Sequence, residues 1–184
     1  AGYDIGAYEY RFSNSFSYVF SGSGSWSNTS LWSSRVLPQE GVDVTIDGVC
    51  TLDSNVFGLK SITVNSSRSL DLAGYSVSTT NGITNQGTLY FTGSESLSGP
   101  LNNAANSTIA YKGSGAFTGL AAGNNYENLS FNGQNASWNL TGDLNVAKTM
   151  TVGQGNWIYA QDNNIQSNSL NNSGSIVMRD GELS

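Results

Sequence analysis

Short apolar stripes with a period of two run through the whole chain, and Gly, Asn or Ser interrupts almost every one of them. Val42, Val44 and Ile46 alternate with polar residues, and Ile62 and Val64 do the same in a later stripe. Apolar residues at every second position are typical of strands that bury one face. No apolar run exceeds four residues, which is too short for a membrane-spanning helix. The pattern predicts an all-β chain with strands of about four to six residues.

One stripe-and-corner pattern occurs twice. Ile83–Phe91 and Leu170–Met178 both read apolar, polar, Asn, polar, Gly, hydroxyl and then apolar residues, at an offset of 87. Ser61–Val64 and Thr149–Val152 match in the same order at an offset of 88. A repeat built from short strands is typical of a solenoid with about 20 to 25 residues in each coil. A β-sandwich is the alternative, but no consistent hairpin turn joins successive stripes.

The composition favours the solenoid and excludes several kinds of site. Gly, Asn, Ser and Thr supply 22, 22, 29 and 14 of the 184 residues, whereas charged residues make up only 11%. Gly and Asn suit corners that need a positive φ, and uncharged polar residues avoid the repulsion of like charges on stacked strands. With no His and one Cys, a Cys/His zinc site, a His-ligated haem and a Ser-His-Asp triad are not available. The single Cys50 is predicted to be a buried apolar residue.

The charge pattern speaks against nucleic acid as a partner. The net charge is −6, and the seven basic residues stand singly along the chain. Binding to a phosphate backbone needs clustered Lys and Arg. We therefore expect no nucleic-acid partner and no insertion into a membrane.

The N-terminal residues resemble the end motif of a known fold. The series DIGAYEY from Asp4 to Tyr10 is similar to the D-I-G-A-Y-E motif that closes right-handed parallel β-helix domains in many large bacterial surface proteins. In that family the motif lies in the last coil. The resemblance therefore implies that residues 1–12 are the tail of a preceding β-helix.

A second resemblance begins at Trp26 and covers most of the rest of the chain. Trp26, Trp32 and Pro38 precede the series GVDVTI at 41–46, and together they resemble the W-S-x-x-x-x-W … P-x-x-G-D-x-V-x-I opening of secreted bacterial β-solenoid repeats, with the acid shifted by one position. Coil motifs of the form L-D-L-x-G, N-x-G-T-L and Y-x-N-L-x-F-x-G have counterparts at Leu70–Gly74, Asn85–Leu89 and Tyr126–Gly133. The family implies a right-handed β-solenoid over residues 26–184 and a giant adhesin-like or surface-fibre protein of which this chain is one segment.

Residues 13–25 are predicted to be a junction between these two parts, because the series SGSGS at 21–25 is typical of a linker. Aromatic residues nevertheless alternate with polar or small ones on both sides of Ser13-Asn14-Ser15, which is a strong strand signal. We call these residues the aromatic segment: Tyr8, Tyr10, Phe12, Phe16, Tyr18 and Phe20. It is interpreted either as a strand that caps the open end of the solenoid or as a strand donated to a neighbouring molecule to build a filament.

Two further pairs of aromatic residues are candidate sites. Trp26 and Trp32 belong to the opening motif, and their predicted role is to cap the apolar column of the solenoid. Trp157 and Tyr159 flank Ile158. Because successive side chains of a strand point to opposite faces, both aromatic residues point away from the side that Ile158 faces. An outward aromatic pair can stack on a sugar ring, which makes Trp157 and Tyr159 the candidate glycan contacts.

The acidic residues are a candidate catalytic or metal site, because parallel β-helices include polysaccharide lyases and hydrolases that use clustered acids, a basic residue or Ca²⁺. The candidate cluster is Asp43, Asp47, Asp53 and Asp71. Asp47-Gly48 and Asp53-Ser54-Asn55 have the local chemistry of turns, and the sequence places no basic residue beside the acids. We predict that the chain is not an enzyme and has no metal ligand and no cofactor.

These features predict a non-catalytic extracellular segment of a bacterial surface or fibre-forming protein, with a structural or adhesive role. Its expected partners are further copies of itself or neighbouring domains of the same protein, and also glycans. A carbohydrate-binding adhesin module is the alternative function, and a polysaccharide-degrading enzyme comes third.

Overall fold

The computed structural model describes residues 18–179 and shows a β-solenoid of about seven turns, which we call coils, with 55% of the residues in strands. Between residues 18 and 179 there is no α-helix, and no helix long and apolar enough to cross a bilayer. One 3-10 turn covers Thr29–Leu31. The strands of this range are β1 (Tyr18–Ser25), β2 (Asp43–Thr51), β3 (Val56–Leu59), β4 (Ser61–Val64), β5 (Ser69–Asp71), β6 (Val77–Thr79), β7 (Ile83–Asn85), β8 (Thr88–Phe91), β9 (Leu97–Ser98), β10 (Leu101–Asn103), β11 (Thr108–Tyr111), β12 (Gly115–Thr118), β13 (Asn125–Tyr126), β14 (Asn128–Phe131), β15 (Ala136–Asn139), β16 (Leu144–Val152), β17 (Asn156–Gln161), β18 (Ile165–Asn172) and β19 (Ser175–Met178).

The coils build three faces, and the strands pair in parallel from coil to coil. Face A contains the first halves of β1, β2, β16 and β18 together with β4, β7, β10 and β13. Face B contains the second halves of those long strands together with β5, β8, β11 and β14, so one 12-stranded sheet covers both faces. Face C contains β3, β6, β9, β12, β15, β17 and β19. The predicted all-β solenoid is confirmed, and its right-handed winding stays a prediction.

The core is a column of inward-facing apolar side chains that continues from coil to coil. On face A, Val44, Ile62 and Ile83 are in register, and none is more than 3% exposed. On face B the corresponding column is Cys50, Leu70, Leu89, Ile109, Leu129 and Met150. Strands stacked about 4.8 Å apart bury these side chains on one another, so few apolar residues are needed in each coil. The predicted burial is confirmed for the cysteine and for most residues of the stripes, whereas Val42 is only partly buried.

Large rings fill the middle of the solenoid. Phe91, Tyr111 and Phe131 are in register on face B, with ring centroids 5.3 and 5.6 Å apart. Trp138 faces them from β15, with its ring centroid 5.0 Å from that of Tyr111 and 4.4 Å from that of Phe117. We call these five residues the aromatic core.

The corner between faces B and C brings successive coils too close together for any side chain. A Cβ atom at Gly113 would overlap the carbonyl oxygen of Thr92, and one at Gly133 would overlap that of Gly113. At Gly174 the Cβ atom would lie 2.6 Å from the carbonyl oxygen of Gly153. We call this series the glycine corner: Gly113, Gly133, Gly153 and Gly174.

The repeated N-x-G pattern forms the same local turn at two different corners. The Oδ1 of Asn85 accepts a hydrogen bond from the N–H of Gly87 at 3.2 Å, and that of Asn172 accepts one from the N–H of Gly174 at 3.0 Å. However, Asn85 ends a face A strand, whereas Asn172 ends a strand on face B. The offset of 87 residues therefore corresponds to a whole number of coils plus the step from face A to face B. The motif recurs because it forms a corner turn, and it does not mark the same position in successive coils.

Residues 18–25 form β1, although their composition predicts a junction. β1 pairs with residues 44–51 of β2. Gly22 lies beside Gly48 where the two strands bend from face A to face B, and a Cβ atom at Gly48 would overlap the backbone of Gly22. Small residues are therefore required at this bend by close packing rather than by flexibility. This corrects the linker interpretation for residues 18–25, whereas the tail predicted for residues 1–12 lies outside the described range.

Among the described residues, Glu95 is a buried carboxylate with no cationic partner. It is 5% exposed and accepts hydrogen bonds from the N–H groups of Gly74, Thr92 and Gly93 at 2.9, 2.6 and 2.7 Å, and from the hydroxyl of Thr92 at 2.8 Å. Burial raises the pKa of Glu95, but the hydrogen bonds from Thr92 and Gly93 outweigh burial and hold the pKa below its usual value of 4.5. Because Gly74 belongs to the preceding coil, the carboxylate ties two corners together.

Replacing Glu95 with Gln is expected to lower the free energy of unfolding at pH 7 by about 1.5–3 kcal/mol, because the amide leaves at least one backbone N–H without an acceptor. The pKa of Glu95 is lower in the folded chain than in the unfolded one, so its contribution is complete above about pH 4.5 and is lost as the pH falls through the folded pKa. Urea unfolding at pH 7 and pH 3 measures both effects. The exposed Glu40→Gln variant is the control, and a loss at pH 3 as large as that at pH 7 would contradict the assignment.

Candidate functional site

The first two aspartates of the candidate acidic cluster are held on separate partners. Asp43 accepts hydrogen bonds from the Nζ of Lys60 at 2.7 Å and from the Oγ of Ser61 at 2.6 Å, and the bond from Lys60 lowers the pKa of Asp43. Asp47 accepts one from the Nε of Arg68 at 3.1 Å, which lowers the pKa of Asp47. Both pairs are exposed and join neighbouring coils, as surface ion pairs do.

The other two aspartates are also held separately. Asp53 accepts a hydrogen bond from the N–H of Ser27 at 3.2 Å, and Asp71 pairs with Lys112 and accepts the N–H of Ala73 at 3.0 Å. The expectation that no basic residue stands beside the acids is therefore wrong, because the partners come from other coils: Lys60, Arg68 and Lys112. Within residues 18–179, no group of three or more His, Cys, Asp or Glu is arranged to hold a metal ion.

Trp26 and Trp32 pack against each other at one end of the described solenoid. Their ring centroids are 4.7 Å apart, edge to face, and the ring of Trp32 lies 5.2 Å from that of Phe20. The indole N–H of Trp32 donates to the carbonyl of Trp26 at 2.7 Å. Next to it, the N–H of Ser33 donates to the carbonyl of Val19 at 2.9 Å, so this segment crosses the outer edge of β1. The capping role stays a prediction.

The aromatic segment lies only partly within the described residues. Tyr18 and Phe20 are in register with Val44 and Ile46 and are 6% and 0% exposed, so they face the core. The remaining four members of the segment lie outside the described range: Tyr8, Tyr10, Phe12 and Phe16. The filament strand stays a prediction.

Trp157 and Tyr159 lie on the outer surface of face C. Trp157 is 37% exposed, whereas Ile158 between them is completely buried. Tyr159 is in register with Val177 on the next strand, and Val177 is 44% exposed. The three side chains form an apolar patch on the outside of β17 and β19, and the glycan contact stays a prediction.

A ladder of primary amides runs along the outside of face A. Asn125, Asn145 and Gln166 are in register on β13, β16 and β18, and Asn102 occupies the outward position of β10. All four side chains are exposed, and the Nδ2 of Asn145 donates to the Oδ1 of Asn125 at 3.3 Å. We call these four residues the amide ladder.

The sheet of face A is interrupted inside the amide ladder. β10 pairs with β7 and β13 pairs with β16, but β10 and β13 do not pair with each other. Two inward positions before the break, Asn85 and Asn103, hold amides instead of aliphatic residues, and they hydrogen-bond to each other at 3.3 Å. An amide-containing column cannot supply the apolar burial that holds the neighbouring coils together.

A trough of about 810 Å³ lies on face A across four consecutive coils, from β10 to β18. Its floor contains Leu101 and Val146, and Glu127 lies at its rim beside Lys148, with 3.6 Å between the carboxylate and the Nζ. Primary amides supply half of its lining: Asn102, Asn103, Asn125, Asn145, Gln166 and Asn168. We call this cavity the amide trough, and its size is that of a small-molecule site.

The trough was not anticipated from the sequence, although a signal for it exists. The members of the amide ladder are 23, 20 and 21 residues apart, close to one coil each. The chain contains 22 Asn, and many of them form corners, so the regular spacing of the ladder residues does not stand out in the sequence. One of the corner residues is the buried Asn156, whose Nδ2 donates to the carbonyls of Gly133 at 2.9 Å and Gly153 at 3.1 Å.

Comparison with known protein families, with curated proteins and with solved structures gave no match for this chain. The resemblance to bacterial surface β-solenoids therefore rests on the sequence motifs alone.

Proposed function

We propose that this chain is a non-catalytic, extracellular structural or adhesive segment of a bacterial surface or fibre-forming protein, and that it associates with further copies or with neighbouring domains through the ends of the solenoid. The observation that carries the proposal is the continuous parallel stack of about seven coils. The backbone of each coil pairs only with the coils next to it, so the fold makes a rod whose strands repeat along one axis.

The contacts of the charged residues support a scaffold. Asp43, Asp47 and Asp71 each pair with a basic residue from another coil. The carboxylate of Glu95 accepts hydrogen bonds from backbone N–H groups. Each of these acids joins two coils, so the acids serve as ties that hold the stack together.

The incomplete burial of apolar residues in the last described coil supports association through this end. Leu170, Ile176 and Met178 continue the inward column but are only partly buried, since no described strand packs against the outer edges of β18 and β19. Unpaired strand edges with apolar neighbours are templates for a further strand, from the same protein or from another copy.

Self-association of the full chain tests this proposal. Sedimentation velocity over a range of protein concentrations is expected to show assemblies that grow with concentration, and electron microscopy is expected to show rods. Leu170→Lys should abolish growth by placing a charge at the end of the column, whereas the outward Ser169→Lys on the same strand should not. Circular dichroism confirms that both variants are folded. A chain that stays monomeric at every concentration, or equal behaviour of the two variants, contradicts association through this end.

Carbohydrate binding is a second candidate function. It is favoured by the exposed Trp157 and the neighbouring Tyr159, since aromatic faces stack on the apolar faces of sugars.

A further inference from the structure

We propose that the amide trough is a binding site for an uncharged oligosaccharide that lies along the solenoid axis. The proposal goes beyond the structural role and does not depend on self-association. It also concerns a different face from the Trp157 and Tyr159 patch on face C.

The amides of the trough are available to a ligand. Among the described residues, the side chains of Asn102, Gln166 and Asn168 have no hydrogen-bond partner, and all three are exposed. By contrast, the corner amide of Asn156 is 1% exposed and donates to backbone carbonyls. Each free primary amide offers two donor hydrogens and an acceptor oxygen, which is the complement of a sugar hydroxyl.

The charge of the site favours a neutral ligand. Glu127 is the one residue of the described lining that carries a charge at neutral pH, and its carboxylate lies 3.6 Å from the Nζ of Lys148. Lys148 also donates to the Oδ1 of Asn106 at 2.5 Å, which holds the ammonium at the rim. The trough therefore has no uncompensated charge with which to recognise an acidic or a basic polymer, and a neutral ligand fits best.

The direction of the trough favours an extended ligand along the solenoid axis over an added strand. The lining comes from β10, β13, β16 and β18, so the trough crosses four coils. The three paired strands among them, β13, β16 and β18, alone span about 10 Å at a spacing of about 4.8 Å. A peptide that adds to a sheet edge runs parallel to the strands and uses backbone groups of one strand. The trough runs across the strands and presents side chains, and the partly exposed Leu101 in its floor can contact the apolar face of a sugar ring.

The test uses the full chain on an array of short neutral oligosaccharides of glucose, galactose, mannose and N-acetylglucosamine, followed by calorimetric titration with the best ligand. The double variant Asn125→Ala/Asn145→Ala is expected to weaken binding by about 10-fold or more, because two amides that hydrogen-bond the ligand are removed. Asn171→Ala, on β18 but on face B, is the matched control and should change the affinity by less than about 2-fold. Binding by the wild-type chain should be insensitive to added salt.

A second pair of variants distinguishes a loss of binding from a loss of folding stability. Gln166→Ala and Asn102→Ala remove amides with no partner in the described structure, so they should weaken binding without changing the melting temperature. The proposal is overturned if the wild-type chain binds no neutral glycan, if only acidic polysaccharides bind in a salt-dependent way, or if extended peptides bind instead. It is also overturned if Asn171→Ala weakens binding as much as the double variant, or if only Trp157→Ala does so, since the latter places the site on face C. Sedimentation of the same samples reports self-association independently.

Discussion

Replacing Trp138 with Ala is expected to lower the free energy of unfolding by about 3–5 kcal/mol, the cost of a large cavity in a packed core. The indole is completely buried, and its ring centroid lies 4.4 Å from that of Phe117, 5.0 Å from that of Tyr111 and 5.5 Å from that of Phe131. The ring therefore joins face B to face C at the centre of the aromatic core. Its removal leaves three other rings without their common neighbour.

Trp157→Ala is the matched control for this prediction. Trp157 is the same residue type on the adjacent strand, but it is 37% exposed, and its loss should cost less than about 1 kcal/mol. Urea unfolding followed by circular dichroism measures both variants. Because each coil contacts only its neighbours, hydrogen exchange should show the greatest loss of protection in β12, β15 and β17 of the Trp138→Ala chain. Equal losses of stability in the two variants would refute the central role of Trp138.

Replacing Gly113 with Ala is expected to cost about 3 kcal/mol, although only one methyl group is added. The new Cβ atom would overlap the carbonyl oxygen of Thr92 in the preceding coil, and backbone cannot move aside as a flexible side chain can. The coils must then separate at the glycine corner, which weakens the ladder between them on faces B and C.

Gly123→Ala separates this steric effect from the ordinary preference for glycine. Gly123 has a φ of 82° and nothing within 4 Å of an added Cβ atom, so its replacement costs only the strain of a left-handed conformation, about 1–2 kcal/mol. Thermal and urea unfolding of both variants should rank Gly113→Ala as the more destabilised. The reverse order would show that close packing of the coils is not what the glycine corner requires.

Two features of the sequence predicted the fold because they reflect the physics of stacked strands. The period of two assigned Val44, Ile62 and Leu70 to the inward side, where all three are buried. The low charge content matches outward ladders such as Thr45, Thr63 and Thr84, in which each side chain stacks on its neighbour.

The functional expectations were less accurate wherever they depended on neighbours from other coils. The sequence shows no base near Asp43 or Asp71, yet Lys60 is one coil away from the first and Lys112 contacts the second from 41 residues further along the chain. Residues 21–25 have the composition of a linker, but their small side chains serve the bend of β1 beside Gly48.

From the amino-acid pattern alone we predict the all-β class, the stacking of short strands into coils and the inward side of most strands, because these depend on alternation within a few residues. Only the folded chain shows which residues lie above one another: the ion pairs, the glycine corner, the apolar patch on face C and the amide trough. The spacing between stacked positions varies, from 18 residues between Thr45 and Thr63 to 21 between Thr63 and Thr84, since corners differ in length. Register depends on the length and geometry of the corners as well as on the apolar pattern, so the alternation within one strand does not show which residues are stacked.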